Sequence, residues 1–191
     1  MNISFPKIIL ASKSPRRQEL LALMGLDFSV VLKEVDESFP AELNPSEIAV
    51  YIAEKKAEAF DESLNQNELV LTADTIVCIE NTILGKPDNE EHAFDMLSLL
   101  SGKKHEVITG VAFLQNHRLY SFYETTGVYF RKLSEQQINY YIQTCKPYDK
   151  AGSYGIQEWI GLIGIERIVG SYTNVVGLPT QRVYQELEKF T

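Results

Sequence analysis

Apolar positions along the chain change period repeatedly, and the changes mark out alternating strands and helices. Lys7–Ala11 is a short apolar run that reads as a buried strand. Ser14-Pro15 then supplies an N-cap with proline at the first helical position, which predicts a helix to about Met24 with Gly25 as its stop. Phe28–Val35 alternates loosely and predicts a second strand. At Asn44-Pro45-Ser46-Glu47 a cap, a proline and a glutamate three residues after the cap predict a helix that ends near Phe60.

Leu69–Ile79 has the strongest strand signal, a β-branched and apolar run interrupted by Asp74, with Glu80-Asn81 as its turn. Asp88-Asn89-Glu90-Glu91 caps a helix that turns Ala93, Met96, Leu97 and Leu100 inward and stops at Gly102. Glu106–Leu114 and Leu119–Leu133 predict long antiparallel strands. Ser134 and Gln137 open a further helix that closes before Pro147. A glycine-punctuated loop, YDKAGSYGIQ, precedes a β segment near Ile163–Val169 and a last helix after Pro179. Helices interspersed with strands and hairpins predict an α/β fold with a mixed sheet flanked by helices. One domain over residues 1–191, with two lobes and a cleft, is the expected organisation.

Composition narrows the function classes. The chain has 191 residues, is 45% hydrophobic and 23% charged, and so has average globular usage. A formal charge of -8 argues against broad nucleic-acid binding, so any basic site must be local. No apolar stretch approaches the ~20 residues that span a bilayer, and the first residues lack a signal-peptide pattern, so the expectation is a cytoplasmic protein. Cys78 and Cys145 lack metal spacing and are expected as reduced thiols.

Local basicity appears at SKSPRRQELL, residues 12–21. Arg16 and Arg17 fall at the second and third helical positions, where the helix dipole opposes positive charge. Two guanidiniums there destabilise the helix by a few tenths of a kcal/mol, whereas each charge-assisted bond to a phosphate contributes ~1.5–3 kcal/mol. The segment is therefore either a solvated basic turn or an anion site that combines Ser12, Arg16, Arg17 and free backbone N–H groups.

Asp74, in the middle of a strand, must face solvent, a partner or a metal, because an unpaired buried charge is very costly. Glu37, at the end of the acidic run Glu34–Glu37, is the natural second carboxylate, and two carboxylates beside phosphate imply Mg²⁺ or Mn²⁺. On the second predicted helix the stripe Ile48, Ala49, Ile52, Ala53, Ala59 and Phe60 carries Lys56 in its middle. Its stem either snorkels past the core or delivers an ammonium beside Asp74. Lys86 follows the turn after the Asp74 strand, and Gln157 offers a donor and an acceptor to an amide-bearing base. No GxxxxGK[ST] motif is present, and His92, His105 and His117 lack ligand spacing; they are expected as surface or half-buried side chains.

The segments LASKSPRRQELL, EVDES, AEKKA, LTADTIV, LGKP, LSGKKHEVITGVA, DKAGSYGIQ and VVGLP, in that order, resemble the Maf family of nucleoside triphosphate pyrophosphatases over nearly the whole chain. The resemblance implies an elongated mixed sheet between two lobes, similar to inosine triphosphatases, and hydrolysis of a nucleoside triphosphate to monophosphate and pyrophosphate. It also implies a divalent cation and a cytoplasmic protein that is often a homodimer. Carried over by motif, Asp74 is the proposed catalytic base. Arg16, Thr75 and Gln157 match positions of base selectivity, and Ser12, Arg17, Glu37, Lys56 and Lys86 match polar positions of the active cleft.

Arg-Arg after Ser-Pro, together with ADT and IQ, is similar to the dTTP/UTP pyrophosphatases. Relatives that act on 7-methyl-GTP resemble SPWR and SDQ instead. The bulky stretch after Gln157 and the Thr before ADT depart from the usual pattern. Asp74 has two possible roles. A base must take up a proton, which Lys56, Lys86 and a metal oppose, whereas a carboxylate that binds the metal and orients water meets no such opposition, and this second role is favoured. A competing class is a nucleotide-binding regulator of cell division that acts through a protein partner.

Overall fold

The computed structural model describes residues 5–191, so the reading of the first four residues lies outside it. Seven strands are hydrogen-bonded in the order β2-β1-β3-β5-β6-β7, with β4 paired to β3 off this path. They are β1 (Lys7–Leu10), β2 (Phe28–Val30), β3 (Glu68–Ile79), β4 (Thr82–Leu84), β5 (Lys104–Gln115), β6 (Arg118–Phe130) and β7 (Ile165–Val169). The helices are α1 (Pro15–Leu23), α2 (Pro45–Glu58), α3 (Glu90–Leu100), α4 (Glu135–Cys145), α5 (Trp159–Gly164), α6 (Tyr172–Val176) and α7 (Thr180–Leu187). Parallel β1–β2 and β1–β3 ladders coexist with antiparallel β3–β4 and β6–β7 ladders, so the sheet is mixed as predicted.

The chain divides into two compact units. The first comprises the residues up to Asp74, Thr109–Glu124 and Gly177–Thr191; the second comprises Thr75–Ile108 and Thr125–Val176. In the first unit β1, β3 and β5 bury both faces, and side-chain alternation sorts them into two cores. Ile8, Leu10, Leu69, Leu71, Ala73, Val111 and Phe113 pack with Leu21 of α1 and with Val183 and Leu187 of α7. Their neighbours of opposite parity, Ile9, Val70, Ala112 and Leu114, pack with Ala53 and Ala57 of α2. Thr72 and Asp74 share the parity of Val70, so β3 directs both towards the α2 face.

In the second unit a single cluster joins Val77 and Ile79 to Leu97 and Leu100 of α3, Tyr141 and Ile142 of α4, and Ile160 of α5. The caps follow the sequence closely: Asn44 and Ser134 both form complete capping boxes, and Asn89 caps α3. Glu80-Asn81 and Asn116-His117 take positive φ in two-residue turns, as tight hairpins require.

Four expectations are corrected. The strand predicted over Phe28–Val35 ends at Val30, because β1, its only partner among the described residues, ends at Leu10. The segment near Ile163 starts as α5, and only Ile165–Val169 is strand; α6 has no counterpart in the prediction. Ala59 is exposed at the end of α2, and Ala57 takes its place on the buried stripe. His105, expected at or near the surface, is 1% exposed.

Candidate active site

Ser14 caps α1 with Pro15 at N1, so Arg16 and Arg17 occupy N2 and N3, and no acidic residue lies in that first turn. The backbone folds back on Ser12, whose Oγ accepts from the Ser14 N–H at 3.2 Å and from Arg17 Nη1 at 3.3 Å. Gln18 Nε2 donates to the Ser12 carbonyl at 3.4 Å. Arg17 Nε donates to the carbonyl of Gly177 at 2.8 Å, which anchors the guanidinium from the other end of the chain. Burial lowers the Arg17 pKa; the Asp74 carboxylate opposes that shift, Arg16 reinforces it, and Glu37 opposes it. Arg16, Glu37 and Asp74 therefore each lie within electrostatic reach of Arg17.

The two carboxylates are brought together by Lys56, whose Nζ lies 2.8 Å from Asp74 Oδ1 and 2.9 Å from Glu37 Oε1. Lys56 and Asp74 side chains are each 17% exposed, whereas Glu37 is 59% exposed. Of the two readings open for Lys56, the structure selects the inward one: its stem follows the buried stripe and its ammonium meets Asp74. Glu37 lies in an irregular segment, and the preceding lysine of α2 helps to hold that segment. Lys55 Nζ reaches Asp36 at 3.4 Å and the Ser38 carbonyl at 3.2 Å.

Ser12, Arg16, Arg17, Glu37, Lys56 and Asp74 thus all belong to the first unit. Thr75, Lys86 and Gln157 belong to the second. Thr75 follows Asp74 on β3 and is half-buried, Lys86 is exposed after β4, and Gln157 is exposed ahead of α5. Within the second unit the segments that carry Lys86 and Gln157 are tied together. Gly152 N–H donates to the Gly85 carbonyl at 3.0 Å. Gly152 has φ +66°, and an added Cβ would stand 2.9 Å from the Val77 side chain, so both conformation and close approach call for glycine there.

Beside Gln157, Glu158 accepts from the Tyr141 hydroxyl and pairs with buried Lys150 at 3.0 Å; Lys150 also reaches Asp149 at 2.7 Å. The Tyr141 oxygen in turn accepts from the Gly155 N–H at 3.0 Å. Burial, with Glu158 second, pushes the Tyr141 phenol well above its ordinary range, so it remains a donor. A second buried pair, His105 Nε2 and Tyr154 Oη at 2.7 Å, fixes the same loop.

Tyr141, Glu158 and Lys150 escaped sequence reasoning, because nothing in a helical tyrosine announces a partner seventeen residues away. The anchoring carbonyl of Gly177 escaped it too, although VVGLP is part of the motif series. Thr72 left a faint signal, a hydroxyl in an apolar run two residues before Asp74.

What this arrangement can do follows from its charges. A rigid guanidinium at a helix N-terminus favours phosphate. Two carboxylates converging on one ammonium mark a position where a cation is held. Among the described residues no group of three or more His, Cys, Asp or Glu is assembled for a metal. Glu37 and Asp74 do supply carboxylate oxygens of the hard type that Mg²⁺ or Mn²⁺ binds.

No helix among the described residues is long and apolar enough to cross a membrane. The family model for Maf-like protein matches residues 7–190. A dTTP/UTP pyrophosphatase of Flavobacterium psychrophilum is 56% identical over 185 residues, 97% of this chain and 95% of that protein. Another protein of that name, from Parabacteroides distasonis, is 50% identical over 99% of this chain and 98% of its own length. The solved Ham1 protein of Staphylococcus aureus aligns with TM-score 0.48 and 15% identity over 65% of this chain and 71% of that one, too loosely to bear on fold or function. The match over nearly the full length, with half or more of the residues identical in these two relatives, establishes that the chain belongs to the Maf family.

Proposed function

We propose that the protein hydrolyses dTTP and UTP to the nucleoside monophosphate and pyrophosphate. The observation that carries this reading is the Lys56 ammonium held between Glu37 and Asp74, two carboxylates that lie within electrostatic reach of Arg17 at the start of α1. The names of the relatives supply the substrate class. They are named as enzymes, and no observation favours the alternative of a regulator acting through a partner. Selectivity for pyrimidines is assigned to Arg16, Thr75 and Gln157 by their places in the SPRR, ADT and GIQ motifs.

In the reaction, water attacks the α-phosphorus, the bond to the bridging α–β oxygen breaks, and pyrophosphate leaves with the electron pair. Arg17, pre-set by Gly177 and Ser12, holds phosphate oxygens without having to be ordered at the moment of binding. Arg16 adds positive charge for the departing group. Asp74 orients the attacking water, whose proton passes to solvent, while Lys56 holds in place the carboxylate that does so.

Glu37 and Asp74 would hold a divalent cation, Mg²⁺ or Mn²⁺. When bound, that cation neutralises phosphate charge and acidifies water. A cytoplasmic homodimer that does not bind nucleic acid belongs to the same reading, and the net charge of -8 supports its last part.

A panel of nucleoside triphosphates with Mg²⁺ or Mn²⁺, read by pyrophosphate release and by nucleotide chromatography, tests the proposal. dTTP and UTP should give monophosphate and pyrophosphate. Asp74→Asn should keep the fold and lose at least ~100-fold in turnover. Binding without product, or orthophosphate as the released species, would overturn the reading.

A further inference from the structure

We infer that Thr72 is a positioning residue for the Lys56–Asp74 pair, clamping α2 to β3 one step before the two charged side chains meet. The inference deepens the proposed function and rests on it. Three consecutive points join α2 to the strands beneath it. At the first, Gly110 of β5 lies so close to the helix that an added Cβ would stand 2.2 Å from the Ala49 carbonyl oxygen. At the second, the Thr72 hydroxyl donates to the Ala53 carbonyl at 2.6 Å, with the Ala112 carbonyl of β5 a more distant 3.5 Å away. At the third, Lys56 Nζ meets Asp74 Oδ1 at 2.8 Å.

The spacing makes the second point govern the third. Ala53 to Lys56 advances ~4.5 Å along the helix, and Thr72 to Asp74 advances ~6.6 Å along the strand on the same face. A lysine stem spans the difference. Thr72 and Ala53 are fully buried, and a β-branched side chain has few rotamers, so the hydroxyl is a short, stiff link. Lys56, by contrast, has a flexible stem, and its other partner Glu37 is mostly exposed. Precision at Asp74 must therefore come from where the helix backbone is held. Apolar packing of Ala53 and Ala57 gives contact, whereas the directional hydroxyl bond to the Ala53 carbonyl ties the helix backbone itself to a fixed position along β3.

The test compares Thr72→Val, which keeps shape and loses the hydroxyl, with Thr72→Ser, which keeps the hydroxyl and loses a methyl. The Ala53 carbonyl remains within a helix, so the valine variant should fold; Thr72→Ala serves in its place if it does not. Expected for Thr72→Val is a kcat on dTTP lowered ~10-fold with KM changed less than ~2-fold, while Thr72→Ser stays within ~2-fold of wild type although it melts lower. A role in stability alone would leave kcat of both folded variants within ~2-fold of wild type whatever their melting temperatures, and that result overturns the inference. Independently of turnover, the Lys56 ammonium signal in protein labelled with ¹⁵N at lysine Nζ should shift in Thr72→Val and not in Thr72→Ser; an unchanged signal also overturns it. Wild-type protein without turnover would defeat the proposed function instead, and the ammonium signal would still decide the role of Thr72.

Discussion

His105 makes the stability of the second unit depend on pH in a way that can be calculated. Its ring is 1% exposed, lies edge-on to Phe130 and Tyr154, and has Nε2 bonded to the Tyr154 hydroxyl at 2.7 Å. Nδ1 has no hydrogen-bond partner among the described residues, so a protonated ring would carry an N–H with nothing to accept it. Burial lowers its pKa from 6.5 to about 4. The unfolded chain therefore binds a proton between those values that the folded chain refuses, and stability falls as pH drops from 6.5 towards 4. Linkage gives almost no penalty at pH 7, about 2 kcal/mol at pH 5 and a limit of about 3 kcal/mol below pH 4. His105→Gln retains a side-chain amide for Tyr154 and removes the titration. Urea unfolding of both proteins from pH 7 to pH 5 isolates the effect, because the carboxylates titrate alike in each. Wild type should lose about 2 kcal/mol more than the variant over that range. Parallel curves would refute both the neutral buried ring and the reasoning from burial.

Gln157→Glu should lower turnover of dTTP and UTP relative to purine triphosphates while the melting temperature stays within about 2 °C, because residue 157 is exposed. Unchanged relative rates across the nucleotide panel would remove Gln157 from base selection. Tyr141→Phe should cost about 1–3 kcal/mol in chemical unfolding, since it leaves the buried Gly155 N–H without its acceptor and removes one of the two donors to Glu158, Lys150 being the other. A loss below about 0.5 kcal/mol would mean that water replaces the hydroxyl, contrary to the burial of Tyr141.

The parts of the fold that could be read in the sequence were those with local causes. Asn44 and Ser134 form the capping boxes their spacing predicts, and Gly25 and Gly102 take the positive φ that ends a helix. What could not be read depended on partners distant in sequence. The second strand stops at Val30 because β1 stops, although Val31-Leu32 continues the apolar pattern. His105 was misplaced because a histidine in an alternating strand reads as polar, and only the aromatic rings of Phe130 and Tyr154 reveal a buried position. In the site, Lys56 is legible as an inward lysine on an apolar stripe and Asp74 as a lone acid in an apolar strand, whereas Glu37 shows only as the end of an acidic run. The Arg17–Gly177 bond joins positions 160 residues apart, and no periodicity reports such a contact.

That bond also explains why a helix can begin with two arginines. A mobile cation at N3 would only weaken the macrodipole, by a few tenths of a kcal/mol. Arg17 is not mobile: Gly177 and Ser12 fix two of its nitrogens, and Asp74 and Glu37 offset part of the charge that burial penalises. The carboxylates have the converse problem, since two acids drawn together repel, and Lys56 resolves it by binding both. Each sign of charge is thus stabilised by the other before any nucleotide arrives, and the ordering entropy of the side chains is spent during folding rather than during binding. A polyphosphate meeting Arg16 and Arg17 adds charge-assisted bonds of ~1.5–3 kcal/mol each against a local strain several times smaller. The basic helix start is therefore unfavourable only when α1 is considered alone.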